Sequence, residues 1–344
     1  MTELFGKSLP NLSCPDHHPS GTSPLLTLSD ESAPVSIVIP LKGSTNKFAV
    51  TIGRNLSIVT WDGESTTPDN IEIIATVDEE PGKEKNQFND GKVDSAGRLW
   101  IGTMGAVNPD GTWTPELGSL YSFVKNGKPV KHLTKLSIAN GLIWNKNNTK
   151  MFYIDSPTRR VDLFDFDHIT GQIIDNIDKK SESGEWHVNR EFLYIPSTFL
   201  TNECSDSKSF KISSPMSPSI ANKNTNPSRN RRLFFDVGPH IPDDKGGPDG
   251  MTIDENDDLW FAVYGTGKIF NVNGTTGELI QKVKLPVMNP TSVAFGGKDF
   301  NELYVTSATF GVTEDMTKQF PSSGCTLKIT NLGVRGRRAN PADL

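Results

Sequence analysis

The chain has 344 residues, a formal net charge of −6 and three cysteines, enough length for one large all-β domain or two ordinary ones. Its mild acidity leaves no electrostatic footprint for nucleic acid, and no run approaches the about 20 apolar residues of a membrane span. Cys14, Cys204 and Cys325 are too sparse for a disulfide framework and lack a zinc spacing; they read as reduced thiols of a cytoplasmic protein.

Residues 1–33 are rich in Ser, Pro and Thr and carry no strand–turn–strand unit. The pair His17-His18 lies in this head and reads as solvated loop. The N-terminus has no basic stretch followed by an apolar one, so no secretory signal is expected. Without secretion, the glycosylation sequons at Asn11, Asn55, Asn147 and Asn273 carry no information.

From Val35, "VSIVIPLKGSTNKFAVTIGRNLSIVTW" alternates apolar and polar residues around polar turns, the period-2 signature of strands. "NDGKVDSAGRLWIGTMG", from Asn89, repeats that unit and opens on Asn-Asp-Gly. "ANGLIWNKNNTKMFYIDSPTRRVDLFDFD", from Ala139, is a third copy with Asn140 in the Asp place. "PDGMTIDENDDLWFAVYGTGKIF", from Pro248, is a fourth, and "TSVAFGGKDFNELYVTSA", from Thr291, a weaker fifth. The copies start roughly every 45–55 residues once one insertion is set aside, which is the spacing of propeller blades. A β-sandwich is the competing fold, but its strands carry no blade-length period.

The insertion covers residues about 175–230, and its second half is rich in Ser, Asn and Pro, which predicts an exposed, poorly ordered loop. "RNRRLFF", from Arg229, reads as the rim of that insertion. "VRGRRANPADL" is a basic tail end without the aromatics of a nucleic-acid platform.

In a propeller the residues that open successive inner strands converge on the central channel. Asn89, Asp90, Asn140 and Asp249 hold that position. Their amide and carboxylate oxygens are hard ligands suited to Ca2+ or Mg2+, and able to accept Mn2+ or Zn2+. The competing reading is that Asp-Gly and Asn-Gly are ordinary turn residues.

At these residues the sequence resembles the SMP-30/regucalcin/gluconolactonase-like family, which includes the insect luciferin-regenerating enzymes. The matching stretches are "FNDGKVDSAGRLWIGTM", "ANGLIWN", "MFYIDSPTRRVDLFDFD", "GPDGMTIDENDDLWFAVYGTGKIFNV", "KLPVMNPTSVAFGGKDFNELYVTSA" and "LKITNLGVRG". The resemblance implies an all-β, six-bladed β-propeller, here with an incomplete or irregular first blade: residues 1–33 stand where the family carries a Gly-Glu-x-Pro run and a strand pair. The propeller would span residues 34–335, interrupted at 175–230, with 336–344 as a tail.

The resemblance also implies one divalent cation, Ca2+ first, with Zn2+, Mn2+ or Mg2+ as alternatives. Asn140 and Asp249 match its Asn and Asp ligands; its Glu ligand has no match. Asp249 matches the proton donor and acceptor of lactone hydrolysis, and Gln87 and Asn89 match a substrate-contacting Arg-x-Asn. The expected protein is a monomeric, metal-dependent lactone hydrolase acting on a small lactone-type substrate, weakened by the missing Glu. A calcium-binding protein without catalysis, or a defective paralogue, are the alternatives.

Overall fold

The computed structural model describes residues 12–13, 33–108, 111–174, 231–241 and 246–344. The expected insertion at 175–230 and nearly all of the head therefore lie outside the described residues. Among those described, the strands form five antiparallel sheets arranged as blades.

Blade I contains β2 (Val35–Pro40), β3 (Lys47–Ile52), β4 (Asn55–Thr60) and β5 (Asn70–Thr76). Blade II contains β6 (Gln87–Val93), β7 (Leu99–Met104), β8 (Gly118–Phe123) and β9 (Val130–Leu136). Blade III contains β10 (Ala139–Trp144), β11 (Lys150–Asp155) and β12 (Arg160–Asp167), whose outer edge is shared by β13 (Gln172–Ile173) and β14 (Arg232–Asp236). Blade IV contains β15 (Gly247–Ile253), β16 (Leu259–Tyr264), β17 (Lys268–Val272) and β18 (Leu279–Lys284). Blade V contains β19 (Asn289–Gly296), β20 (Glu302–Ala308) and β21 (Leu327–Ile329), with β1 (Leu12–Ser13) on its outer edge.

The expectation of six blades is corrected to five. The sequence carries five copies of the repeat, and the sixth rested on the resemblance alone. The one strand described from the head, β1, pairs with β21 and completes the last blade; it does not start a new one. The inner strands pack in series, β2 on β6, β6 on β10, β10 on β15 and β15 on β19. Val38 on β2, at one end of that series, is 58% exposed.

The repeated "VDSAGRLW" and "IDENDDLW" fold identically. Asp94 Oδ1 accepts from the backbone N–H groups of Ala96 and Arg98, closing the turn, while its Oδ2 accepts from Trp100 Nε1 at 3.0 Å. Asp254 does the same with Asn256, Asp258 and Trp260, again at 3.0 Å. One carboxylate thus sets the turn and fixes the indole of the next strand. Both indoles are fully buried and seed the packing between blades: Trp100 meets Trp144 and Phe166 of blade III, and Trp260 meets Phe295 of blade V.

The residues after β21 run across the same face as those turns. Glu255 N–H donates to Arg335 O, Arg337 donates to Asp257, Asn340 Nδ2 donates to Val93 O, and Asp343 pairs with Lys42. The C-terminal segment therefore touches blades I, II and IV. Among the described residues no helix is long and apolar enough to cross a membrane.

Asp254→Ala removes three hydrogen bonds and leaves the buried Trp260 N–H without an acceptor, so it should destabilise the fold by about 2–4 kcal/mol. Denaturant unfolding measures this, and Asp254→Asn, which keeps an acceptor oxygen, should lose less.

Candidate functional site

Among the described residues, every inner strand breaks register with its neighbour at one equivalent place. The break falls between Val35 and Val38 in blade I, Phe88 and Gly91 in blade II, and Ala139 and Leu142 in blade III. In blades IV and V it falls between Pro248 and Met251, and between Pro290 and Ser292. A bulge leaves its residues outside the ladder and re-aims their side chains. Of the residues so released, Ser36, Asn89, Asp90, Asn140, Asp249 and Thr291 line one cavity of about 910 Å³.

The glycines of the Asp-Gly and Asn-Gly pairs serve close approach between blades, which settles against the ordinary-turn reading. None of Gly91, Gly141 and Gly250 has a positive φ. A Cβ on Gly141 would sit 2.6 Å from Met251 Cβ on β15, and one on Gly250 would sit 2.2 Å from Ser292 Oγ on β19. On Gly91 it would sit 2.5 Å from Trp100 O and 2.8 Å from Ile37 on β2. Asn140 and Asp249, which precede Gly141 and Gly250, are thereby held where neighbouring inner strands approach closely, while Gly91 fits chiefly against its own strand pair.

A chain of hydrogen bonds crosses three blades on the cavity floor. Asn89 Nδ2 donates to Ala139 O at 2.7 Å and to Asn140 Oδ1 at 3.2 Å. Asn140 Nδ2 donates to Ser156 Oγ at 2.7 Å, and Ser156 Oγ donates to Pro248 O at 2.6 Å. Both amides are thus oriented, and Pro248 is the neighbour of Asp249.

The two carboxylates have few partners. Asp90 accepts from the N–H of Gly91 at 2.7 Å, and Asp249 is supported by the N–H of Gly250. Both line the cavity, so water reaches them from within, yet protein surrounds them. Desolvation is the main cause that pushes Asp249 well above the usual carboxylate range, and the charge of Asp90 adds to it. Asp90 is also raised by desolvation, with Lys92 acting in the opposite sense. Lys92 follows Asp90 on β6 at the alternate position of one strand face, and its ammonium is lowered by burial.

The structure brings Asn89, Asn140 and Asp249 together, as the motif positions imply. It does not bring in Gln87, which pairs with Met104 on β7 and is absent from the cavity wall. Residues not read as site residues from the sequence are Ser36, Ser156, Arg159 and Thr291, all in the wall. Ser36 and Thr291 had a signal, since they occupy the aligned position in the two weak repeat copies. Arg159 had none; it follows a one-turn 3-10 segment (Ser156–Thr158) with φ 54°.

Among the described residues no group of three or more His, Cys, Asp or Glu could hold a metal ion. The donors that do converge are two carboxylates and the Asn140 amide oxygen. They fit a hard divalent cation chemically: two desolvated carboxylates, the charge of Asp90 raising the proton affinity of Asp249, are relieved by a dication. Water or substrate oxygens would have to complete the six to eight ligands, about the number Ca2+ takes.

The family profile described as "SMP-30/Gluconolactonase/LRE-like region" matches residues 18–178 and 204–309. The regucalcin of Xenopus laevis is 33% identical over 289 residues, which cover 84% of this chain and 75% of that protein. The human regucalcin is 32% identical over 304 residues, covering 88% and 79%. A solved luciferin-regenerating enzyme superposes with a TM-score of 0.68 at 34% identity, covering 90% of this chain and 82% of that one. A regucalcin from Agrobacterium tumefaciens, described as a calcium-binding protein, shares the fold with a TM-score of 0.63 at 22% identity, covering 91% and 80%.

Both floor carboxyls titrate above their unfolded values. Their stability contribution is therefore fully present at low pH and is lost as pH rises through the folded values. Asp90→Asn and Asp249→Asn should each raise the melting temperature in chelator by about 2–4 °C at pH 7. The gain should be larger at pH 8 than at pH 5, as calorimetric scans across that range would show.

Proposed function

Because the chain belongs to the SMP-30/gluconolactonase/LRE-like family, we propose that it is a lactone hydrolase working with one divalent cation, Ca2+ first among the candidates. The observation that carries this reading is the pair of desolvated carboxylates, Asp90 and Asp249, set beside Asn140 on the floor of one cavity. Asp249, Asp90 and Asn140 would hold the cation. When bound, the cation supplies Lewis-acid polarisation of the lactone carbonyl and acidifies a bound water.

The chain's own groups account for the proton transfers. A carboxyl raised well above its usual range is a base of useful strength near neutral pH. Asp249 takes a proton from the attacking water as the new C–O bond forms. It returns that proton to the ring oxygen as the ring C–O bond breaks, which leaves a hydroxy acid. Asn89 spends its N–H donors on Ala139 and Asn140, so its carbonyl oxygen is the group left to accept from a substrate hydroxyl. The Asn89–Asn140–Ser156 chain holds these groups in place before substrate arrives, so little reorganisation is needed during reaction.

Cation binding without turnover is the second reading, favoured by the small carboxylate number and by Gln87 in place of the cationic residue that the family motif carries. Two carboxylates hold Ca2+ less tightly than three. A lactonase assay in chelator and in added Ca2+, Mn2+ or Zn2+, run beside calorimetric cation titration, separates the readings. Turnover that requires the cation supports the hydrolase; cation binding with no turnover supports the second reading.

Asp249→Asn should lower kcat by about 10²–10⁴-fold, the usual contribution of a general base. Asn140→Ala should weaken cation binding by about tenfold, since it removes both a ligand and the fixed end of the amide chain. Calorimetric titration of the two variants reads the second effect directly.

A further inference from the structure

The floor of the cavity is polar, but its mouth is not. Val107, Trp113 and Phe310 line the cavity and are 47%, 37% and 61% exposed. Met104, Ile138 and Tyr264 line the same cavity. Large apolar side chains left exposed one at a time need no explanation, but several gathered at one concave opening mark a binding surface.

The backbone that carries them is also held in place. The Phe310 carbonyl accepts from Asn289 Nδ2 at 2.9 Å and from Tyr264 OH at 3.3 Å. Its ring lies against Gly111, where a Cβ would come within 2.9 Å of Phe310 Cζ. Phe310 follows β20 of blade V and Gly111 follows β7 of blade II, so the two segments meet across the opening. Val107 and Trp113 are paired by an antiparallel bridge. The cavity volume lies near the top of the about 300–1,000 Å³ range of sites for drug-sized ligands, and a bare sugar lactone would fill a small part of it.

We propose that the mouth binds an aromatic or similarly apolar group, so that the substrate is an amphipathic lactone. Its hydrolysable ring would sit on the Asp90–Asn140–Asp249 floor and its apolar portion between Trp113 and Phe310. The inference rests on the hydrolase reading for the reacting ring, and on the exposed aromatics alone for the apolar portion. A planar ring seated there gains contact area from both side chains at little entropic cost, because neither has many rotamers to lose.

The test compares dihydrocoumarin, an aryl lactone, with glucono-δ-lactone, and adds a probe that cannot be hydrolysed, the lactam 3,4-dihydroquinolin-2-one. Trp113→Ala and Phe310→Ala should each lower kcat/KM for dihydrocoumarin about tenfold, mainly through KM, and change glucono-δ-lactone by no more than about twofold. Lactam binding, followed by calorimetry, should weaken by about the same factor, and Trp113→Phe should restore most of it. Lactam binding that depends on both residues, with no turnover of either lactone, would keep the mouth assignment and remove the hydrolase. Unchanged lactam affinity and unchanged dihydrocoumarin kinetics in both variants would overturn the proposal.

Discussion

The structure depends on how closely the inner strands approach one another. Gly141 and Gly250 leave no room for a Cβ against the neighbouring blade, Gly91 leaves none against Trp100 O of its own blade, and each lies in or beside a break in strand register. The same break that lets the strands come together frees the preceding residue from the ladder. Close packing and the display of polar side chains are thus one local event, repeated around the channel. Asn89, Asp90, Asn140 and Asp249 are far apart in sequence and meet only because each blade makes this bulge at the same height.

Placing carboxylates there works against stability. Asp90 and Asp249 are desolvated, and the first raises the proton affinity of the second. The rest of the molecule offsets that cost with ordinary means. The Asp94–Trp100 and Asp254–Trp260 bonds tie turn to strand within blades II and IV, and the indoles carry the packing onward to blades III and V. The C-terminal segment bonds to blades I, II and IV on the face opposite the bulges. The two faces are therefore unlike: one is tied down, and the other opens on a large cavity.

Much of this was legible in the sequence, because repetition is a stronger signal than any one motif. Alternation gave the strands, and the aligned Asp-Gly and Asn-Gly pairs pointed to the channel mouth before any family was considered. Five copies are visible and the described residues form five blades; the sixth was an extrapolation from relatives. A turn glycine and a close-approach glycine look the same in a sequence, so the bulges were not. Ser36 and Thr291 went unread because hydroxyls in weak repeat copies carry little chemical signal. Gln87 fell the other way: it matches the family motif by position, yet strand pairing with Met104 keeps it out of the cavity wall. Trp113 and Phe310 lie outside the repeat, in the segments after β7 and β20, where periodicity says nothing.

The central claim is that bulged residues of different blades share one electrostatic environment. A double-mutant cycle on Asp90→Asn and Asp249→Asn, read as unfolding free energy at pH 7 in chelator, tests it most directly. If the carboxylates face each other, removing the first charge relieves the repulsion and the second substitution gains less, a departure from additivity of about 0.5 kcal/mol or more. Additivity within about 0.3 kcal/mol would mean that the two groups do not interact, and the shared site would be wrong.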